Sequence, residues 1–186
     1  MPTSLDLATP PPVTRQPHTL PATGAMDMWG LTLAVAVAPG IDAGQVDSLL
    51  TGLRRRGAFV ELVAPTLGVI ETPRGSTLMP DRTFGDCSPM DYDAVVVPDG
   101  NLKRLREDGA AIAFATRAYL YGVPIGLIGA GAELLHGVGV SGVLGGERAG
   151  VVRGTRACPR FLDALAAKIA TRTPRTDPPV DHRIAS

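Results

Sequence analysis

An excess of charge of either sign is the first thing this sequence lacks. Its 186 residues carry 18 basic and 18 acidic side chains, so the formal net charge is zero. A nucleic acid or an anionic membrane surface recruits a basic excess, so neither is expected as a partner. Cysteine is almost absent. Cys87 and Cys158 are the only two, too few and too far apart in sequence for a metal motif or a disulfide framework. Aromatic residues make up 4% of the chain, which excludes a base-stacking platform. The longest apolar run, Leu31–Pro39, is far short of the roughly 20 residues of a membrane helix. Residues 1–28 lack a basic start followed by an apolar core, so no secretory leader is read there. A cytoplasmic location is the resulting expectation.

Glycine and proline, in contrast, are abundant, at 22 and 17 residues. They separate along the chain. Nine of the 17 prolines fall in residues 1–28 and 172–186, with Gly24 as the one glycine there. Neither end shows helical or alternating apolar periodicity, so both are expected to be disordered proline-rich tails. Residues 29–171 hold the remaining 21 glycines and the strong apolar runs. They are read as one domain.

That domain alternates two kinds of segment. Leu31–Val37 is a continuous apolar run ending at Pro39-Gly40, the pattern of a strand covered on both faces. Asp42-Ala-Gly-Gln45 has the form of a capping box. Val46, Leu49, Leu50 and Leu53 then recur at helical spacing. Arg54, Arg55 and Arg56 fall in the last turn, and Gly57 closes it. Phe59–Ala64 reads as a second strand, residues 66–90 as a small hairpin or excursion, and Tyr92–Pro98 as a third strand. A helix is predicted over Ala110–Leu120 with Ile112, Ala115 and Tyr119 on one side. Val123–Ile128 is a fourth strand, followed by a short helix through Glu133 and Leu135. Residues 138–152 read as short strands or turns, and Phe161, Leu162, Leu165 and Ile169 mark a last helix. Strands separated by helices imply right-handed crossovers and a doubly wound, mainly parallel α/β sandwich.

Ligands of such sheets bind beyond the carboxyl ends of the strands. Three strand ends qualify: Ala38–Asp42, Pro98–Asn101 and Gly129–Gly131. The Gly129-Ala130-Gly131 turn follows a strand and opens a helix, so its backbone N–H groups could hold an anion. Gly137–Gly142 spells G-x-G-x-x-G but follows a helix, and is read as a decoy.

Three segments carry a resemblance: Val35–Asp42, Tyr92–Gly100 and Pro124–Leu135. On them the chain resembles the ThiJ/PfpI superfamily, the flavodoxin-like relatives of class I glutamine amidotransferases. Val60–Gly68, Asp81–Phe84 and the Val35–Asp42 opening are also similar in wording to the C-terminal domain of large-subunit, clade 2 catalases. The resemblance implies a flavodoxin-like three-layer α/β fold. It also implies where chemistry would sit. The family's enzymes carry a nucleophilic cysteine, usually followed by histidine, on the turn after the fourth strand. Those positions are Gly129 and Ala130 here, with neither group. The acidic partner on the first loop corresponds to Asp42, and the glycine pair closing the third strand is Asp99-Gly100. The implied function is a non-catalytic domain with an assembly, stability or interaction role. It would act as a homodimer or beside a catalase-type partner, without haem or another cofactor. The alternatives are a hydrolase or glyoxalase with a displaced catalytic group, or a small-ligand or anion binder at Gly129–Gly131.

The remaining reactive residues have plain readings. Asp42 is first a helix N-cap, with a site role behind it. Cys87 lies in an irregular stretch. Cys158 opens the last helix, where a thiol pKa can be lowered, but neither is read as catalytic. His18 and His182 lie in the tails and His136 ends a helix, so no metal site is expected.

Overall fold

The computed structural model describes residues 27–72, 75–136 and 150–172, with His136 by its backbone alone. The first strand, β1 (Thr32–Ala36), is the apolar run expected from its sequence. Its flank continues buried through Val37 and Ala38. β1 is central, with β2 (Phe59–Ala64) parallel on one side and β6 (Ala94–Val97) parallel on the other. Outward from β6 lie β7 (Ile125–Ile128) and β8 (Val151–Gly154), both parallel. Beyond β2, the two-residue β5 (Arg82–Thr83) adds in parallel. Among the described residues this makes one sheet in the order β5-β2-β1-β6-β7-β8. Every residue of β6 and β7 is buried. A strand covered on both faces has no polar side to alternate with, so its sequence runs apolar throughout.

The helices follow from that order. α1 (Ala43–Arg55) joins β1 to β2 in one direction across the sheet, and α3 (Gly109–Leu120) joins β6 to β7 in the other. Right-handed crossovers in opposite directions place their helices on opposite faces. α5 (Pro159–Ala170) lies against α1, since Arg56 at the end of α1 donates to the Pro159 carbonyl (3.3 Å) and pairs with Asp163. On the other face Phe114 of α3 meets Phe84 and Tyr92, with ring centroids at 5.4 and 6.1 Å. The result is a three-layer, flavodoxin-like α/β sandwich. No helix among the described residues is long and apolar enough to cross a membrane.

Val46, Leu49, Leu50 and Leu53 are buried as their spacing predicts. The expected excursion after β2 contains an antiparallel pair, β3 (Ile70–Glu71) with β4 (Thr77–Leu78). Four expectations need correction. Gln45 does not complete a capping box: its Oε1 accepts from the Ala157 N–H (3.1 Å). The Asp42 N–H that it would have served already donates to the Asp99 carbonyl (3.0 Å). The buried side of α3 is Ala111, Phe114, Ala115 and Ala118 rather than the line through Ile112 and Tyr119. The aromatic cluster with Phe84 and Tyr92 draws Phe114 inward and rotates the helix accordingly. β5 and the five-residue α2 (Lys103–Glu107) were not anticipated, being too short to show a period. Both expected tails lend residues to the described fold: Met28 is fully buried, Asp27 pairs with Arg56 (3.0 Å), and Arg172 donates to the Tyr92 carbonyl (3.1 Å). The rest of the two tails, residues 1–26 and 173–186 with His18 and His182, and Gly137–Gly142 lie outside the described residues.

Candidate functional site

The strand order reverses between β1 and β6, because the chain leaves β1 toward β2 and returns on the other side. Such a switch point opens a crevice at the carboxyl ends of the strands. The three expected loops meet beside it. Ile41 and Gly100 form an isolated antiparallel bridge, and the Asn101 N–H donates to the Gly40 carbonyl (2.9 Å). Gly100 has φ +136°, and a Cβ there would come within 2.6–2.8 Å of Ile41 Cα, Asp42 N and Gly40 O. All three are backbone-bound atoms, so only glycine lets the two loops approach this closely.

Asp42 is the N-cap of α1. Its Oδ1 accepts from the Gly44 and Gln45 N–H groups at 2.9 and 3.3 Å. The carboxylate is thus turned into the first turn of the helix, where it satisfies donors that have no partner within the helix.

Gly129 follows β7 directly and opens a single 3-10 turn, Gly129–Gly131, that leads into α4 (Ala132–His136). Its φ is +52°, in the left-handed region that favours glycine. The space a Cβ would take at Gly129 is filled by the Asp99 carboxyl group, whose carbon and two oxygens are the nearest atoms to it. Asp99 Oδ1 accepts from the Gly100 N–H (2.8 Å) and from the Ala130 N–H (2.9 Å). The structure therefore gathers Asp99, Gly100, Gly129 and Ala130 at one point. It ties Asp42 to them through its backbone, while the Asp42 side chain faces α1.

A cleft of about 570 Å³ opens beside this point, lined by Asn101, Lys103, Arg106, Glu107, Ala130 and Glu133 among others. Its charges are paired: Arg106 of α2 with Glu133 of α4 across it at 3.3 Å, and Lys103 with Glu107 along α2 at 3.9 Å. α2 forms one wall and separates it from a second cleft of about 550 Å³ over β2, whose lining includes Pro39, Pro65, Leu67, Val69 and Arg104. No group of three or more His, Cys, Asp or Glu side chains among the described residues is arranged to hold a metal ion. Among the described residues, no thiol or imidazole lines either cleft.

The cysteines lie elsewhere. Cys158 is the residue before α5, makes no side-chain cap bond, and lines a third groove of about 350 Å³ between α1 and α5. Cys87 donates to the Thr83 carbonyl at 3.2 Å. Burial pushes its thiol above the ordinary range, although Tyr92 and Arg82 pull the other way. It belongs to a cluster that the sequence did not single out. There the Tyr92 hydroxyl donates to Glu61 Oε2 (2.7 Å), and Arg82 lies 3.4 Å from the same oxygen. Burial, reinforced by the carboxylate, raises the Tyr92 phenol far above its usual value. The only signal in the sequence was a glutamate inside the apolar run Phe59–Ala64.

Known proteins resemble this chain at three levels. Residues 32–157 match the model of the DJ-1/PfpI family. Catalase HPII of Mycobacterium avium is 38% identical over 111 residues, which is 58% of this chain and 16% of the catalase. Deglycase PfpI of Pyrococcus furiosus is 30% identical over 89 residues, covering 47% of this chain and 54% of that protein. The chain thus spans about a sixth of the catalase and about half of the deglycase. A solved DJ-1 superfamily protein from Salmonella typhimurium superposes with a TM-score of 0.64 at 23% identity, over 75% of this chain and 90% of that one. The family match takes in β1, both loops of the switch point, the Gly129 turn and β8. On that match the chain belongs to the DJ-1/PfpI family.

Proposed function

We propose that this chain is a non-catalytic DJ-1/PfpI domain whose role is to bind and stabilise a catalase-type partner. The observation that carries this reading is Gly129. In the family resemblance it takes the nucleophile's position, and its place in space is filled by the Asp99 carboxyl group. A cysteine-based hydrolase or glyoxalase needs a side chain exactly there, with a base beside it. Ala130 supplies none, and Asp42 is engaged as a helix cap.

Exposed apolar side chains at one end of the sheet support the interaction role. Trp29 precedes β1, Phe59 opens β2, and Leu120 and Tyr121 end α3 before β7; all four are between 61% and 72% exposed. Because the strands are parallel, these positions share the amino end of the sheet, opposite the clefts. The Phe59 N–H donates to the Leu31 carbonyl (2.8 Å), which sets the Trp29 and Phe59 segments side by side. Aromatic anchors are typical of binding surfaces. The partner follows from the relatives: in a catalase matched over 16% of its length, the matching part is joined to a much larger body.

The test mixes this chain with a catalase HPII truncated before its matching segment. A complex on size exclusion and a higher melting temperature of the catalase are expected. Absence of a complex, together with turnover of dicarbonyls or glycated amines by the pure chain, would overturn the reading.

A further inference from the structure

Asp99 touches all three loops of the site. It sits at the end of β6, its carbonyl accepts from the Asp42 N–H (3.0 Å), and its side chain accepts from Ala130 in the Gly129 turn (2.9 Å). The backbone bond to the first loop fixes the Asp99 main chain, and its side chain is held by hydrogen bonds of its own. The carboxylate is held by two N–H donors, Gly100 in its own loop and Ala130 in the turn, and a charged acceptor makes the stronger kind of hydrogen bond. The three atoms nearest to a Cβ at 129 all belong to this one group.

We propose that Asp99 is a tethered occupant of the Gly129 turn. Its carboxylate takes the volume and the backbone donors that a reactive side chain at 129 would use, so a carboxylate at 99 and any side chain at 129 exclude each other. The glycine at 129 is then required by Asp99, and not only by its positive φ. Restoring a thiol at 129 alone yields a strained, shielded group. Restoring it together with removal of the carboxylate yields an accessible one. This deepens the reading of Gly129 as a vacated nucleophile position and uses only this chain, so it can fail while the catalase partner binds, and the reverse.

The experiment is a double-mutant cycle of Asp99→Gly, Gly129→Cys and the pair, read by melting temperature and by iodoacetamide labelling. In the labelling step the thiolate forms a C–S bond, iodide leaves, and the thiol proton goes to solvent. Mass mapping separates the new thiol at position 129 from Cys87 and Cys158. The cost of the positive φ is common to both arms and cancels in the cycle. Gly129→Cys is expected to cost several degrees in the native background and less than half of that beside Asp99→Gly. Labelling at 129 should be at least about tenfold faster in the pair. Additive melting shifts, or equal labelling rates, would overturn the proposal. Should Gly129→Cys not accumulate as folded protein, Gly129→Ala with and without Asp99→Gly repeats the cycle by melting temperature. Additivity there would overturn it equally.

Discussion

The surroundings of Tyr92 make stability depend on pH on the alkaline side. The residue is buried, and its hydroxyl donates to Glu61. Its folded-state pKa is raised, so the unfolded chain releases the phenolic proton first. The contribution to stability is complete below the ordinary tyrosine value of about 10 and is lost as pH climbs from there toward the folded-state value. Cys87 has the same sign, beginning near its ordinary value of about 8.5. Stability should thus fall with rising pH above about 9, and urea titrations across that range measure it. Tyr92→Phe should cost about 1.5 kcal/mol at neutral pH and flatten the alkaline fall. Asp42→Ala removes the α1 cap and should cost about 1 kcal/mol by the same measurement. The cap was legible in the sequence because it is local. The role of Asp99 was not, since its partner Ala130 is 31 positions away.

The elements show why some patterns were readable and others were not. β1, β2 and α1 each satisfy their own periodicity, and their ends sit where Pro65, Asp42 and Gly57 predict. β5 and α2 exist only because neighbours hold them. β5 is two residues that complete the sheet edge, with the Asp81 N–H donating to the Leu62 carbonyl (2.8 Å) and Asp81 Oδ2 accepting from the Leu62 N–H (2.7 Å). Contact between elements also sets hard limits on single positions. A Cβ at Gly131 would collide with the Val97 carbonyl oxygen at the end of β6, and a backbone atom cannot give way cheaply. Gly131→Ala should therefore destabilise by about 2–3 kcal/mol, measured by thermal or urea unfolding. Arg56 joins the chain entry at Asp27 to the start of α5 at Pro159 and Asp163. With both carboxylates partly exposed, Arg56→Ala should cost about 1 kcal/mol in the same assay.

At the scale of the whole molecule, the two ends of the sheet are chemically different. The carboxyl end carries paired charges and two clefts, one of them lined by the exposed Leu67 and Val69. The amino end carries Trp29, Phe59, Leu120 and Tyr121 exposed to solvent. If the amino end is where a catalase-type partner docks, Trp29→Ser with Phe59→Ser should weaken that complex at least about tenfold. The same change should leave labelling at position 129 in the double variant unaltered, because the two regions lie at opposite ends of the strands. Titration of the partner by calorimetry reads the first effect.

The layer architecture, the succession of the main strands and helices, and the strand ends that could form a site were all readable along the chain. Those follow from apolar periodicity and from glycine and proline stops, which act over a few residues. What fills the site depends on packing between distant segments. The contacts of the Asp99 carboxylate with Ala130 and with the space at Gly129 depend on β6 and β7 lying side by side, and on a loop bridge at Gly100 that brings the first loop against them. Packing across the sheet set that arrangement, and no pattern along the chain encodes it locally.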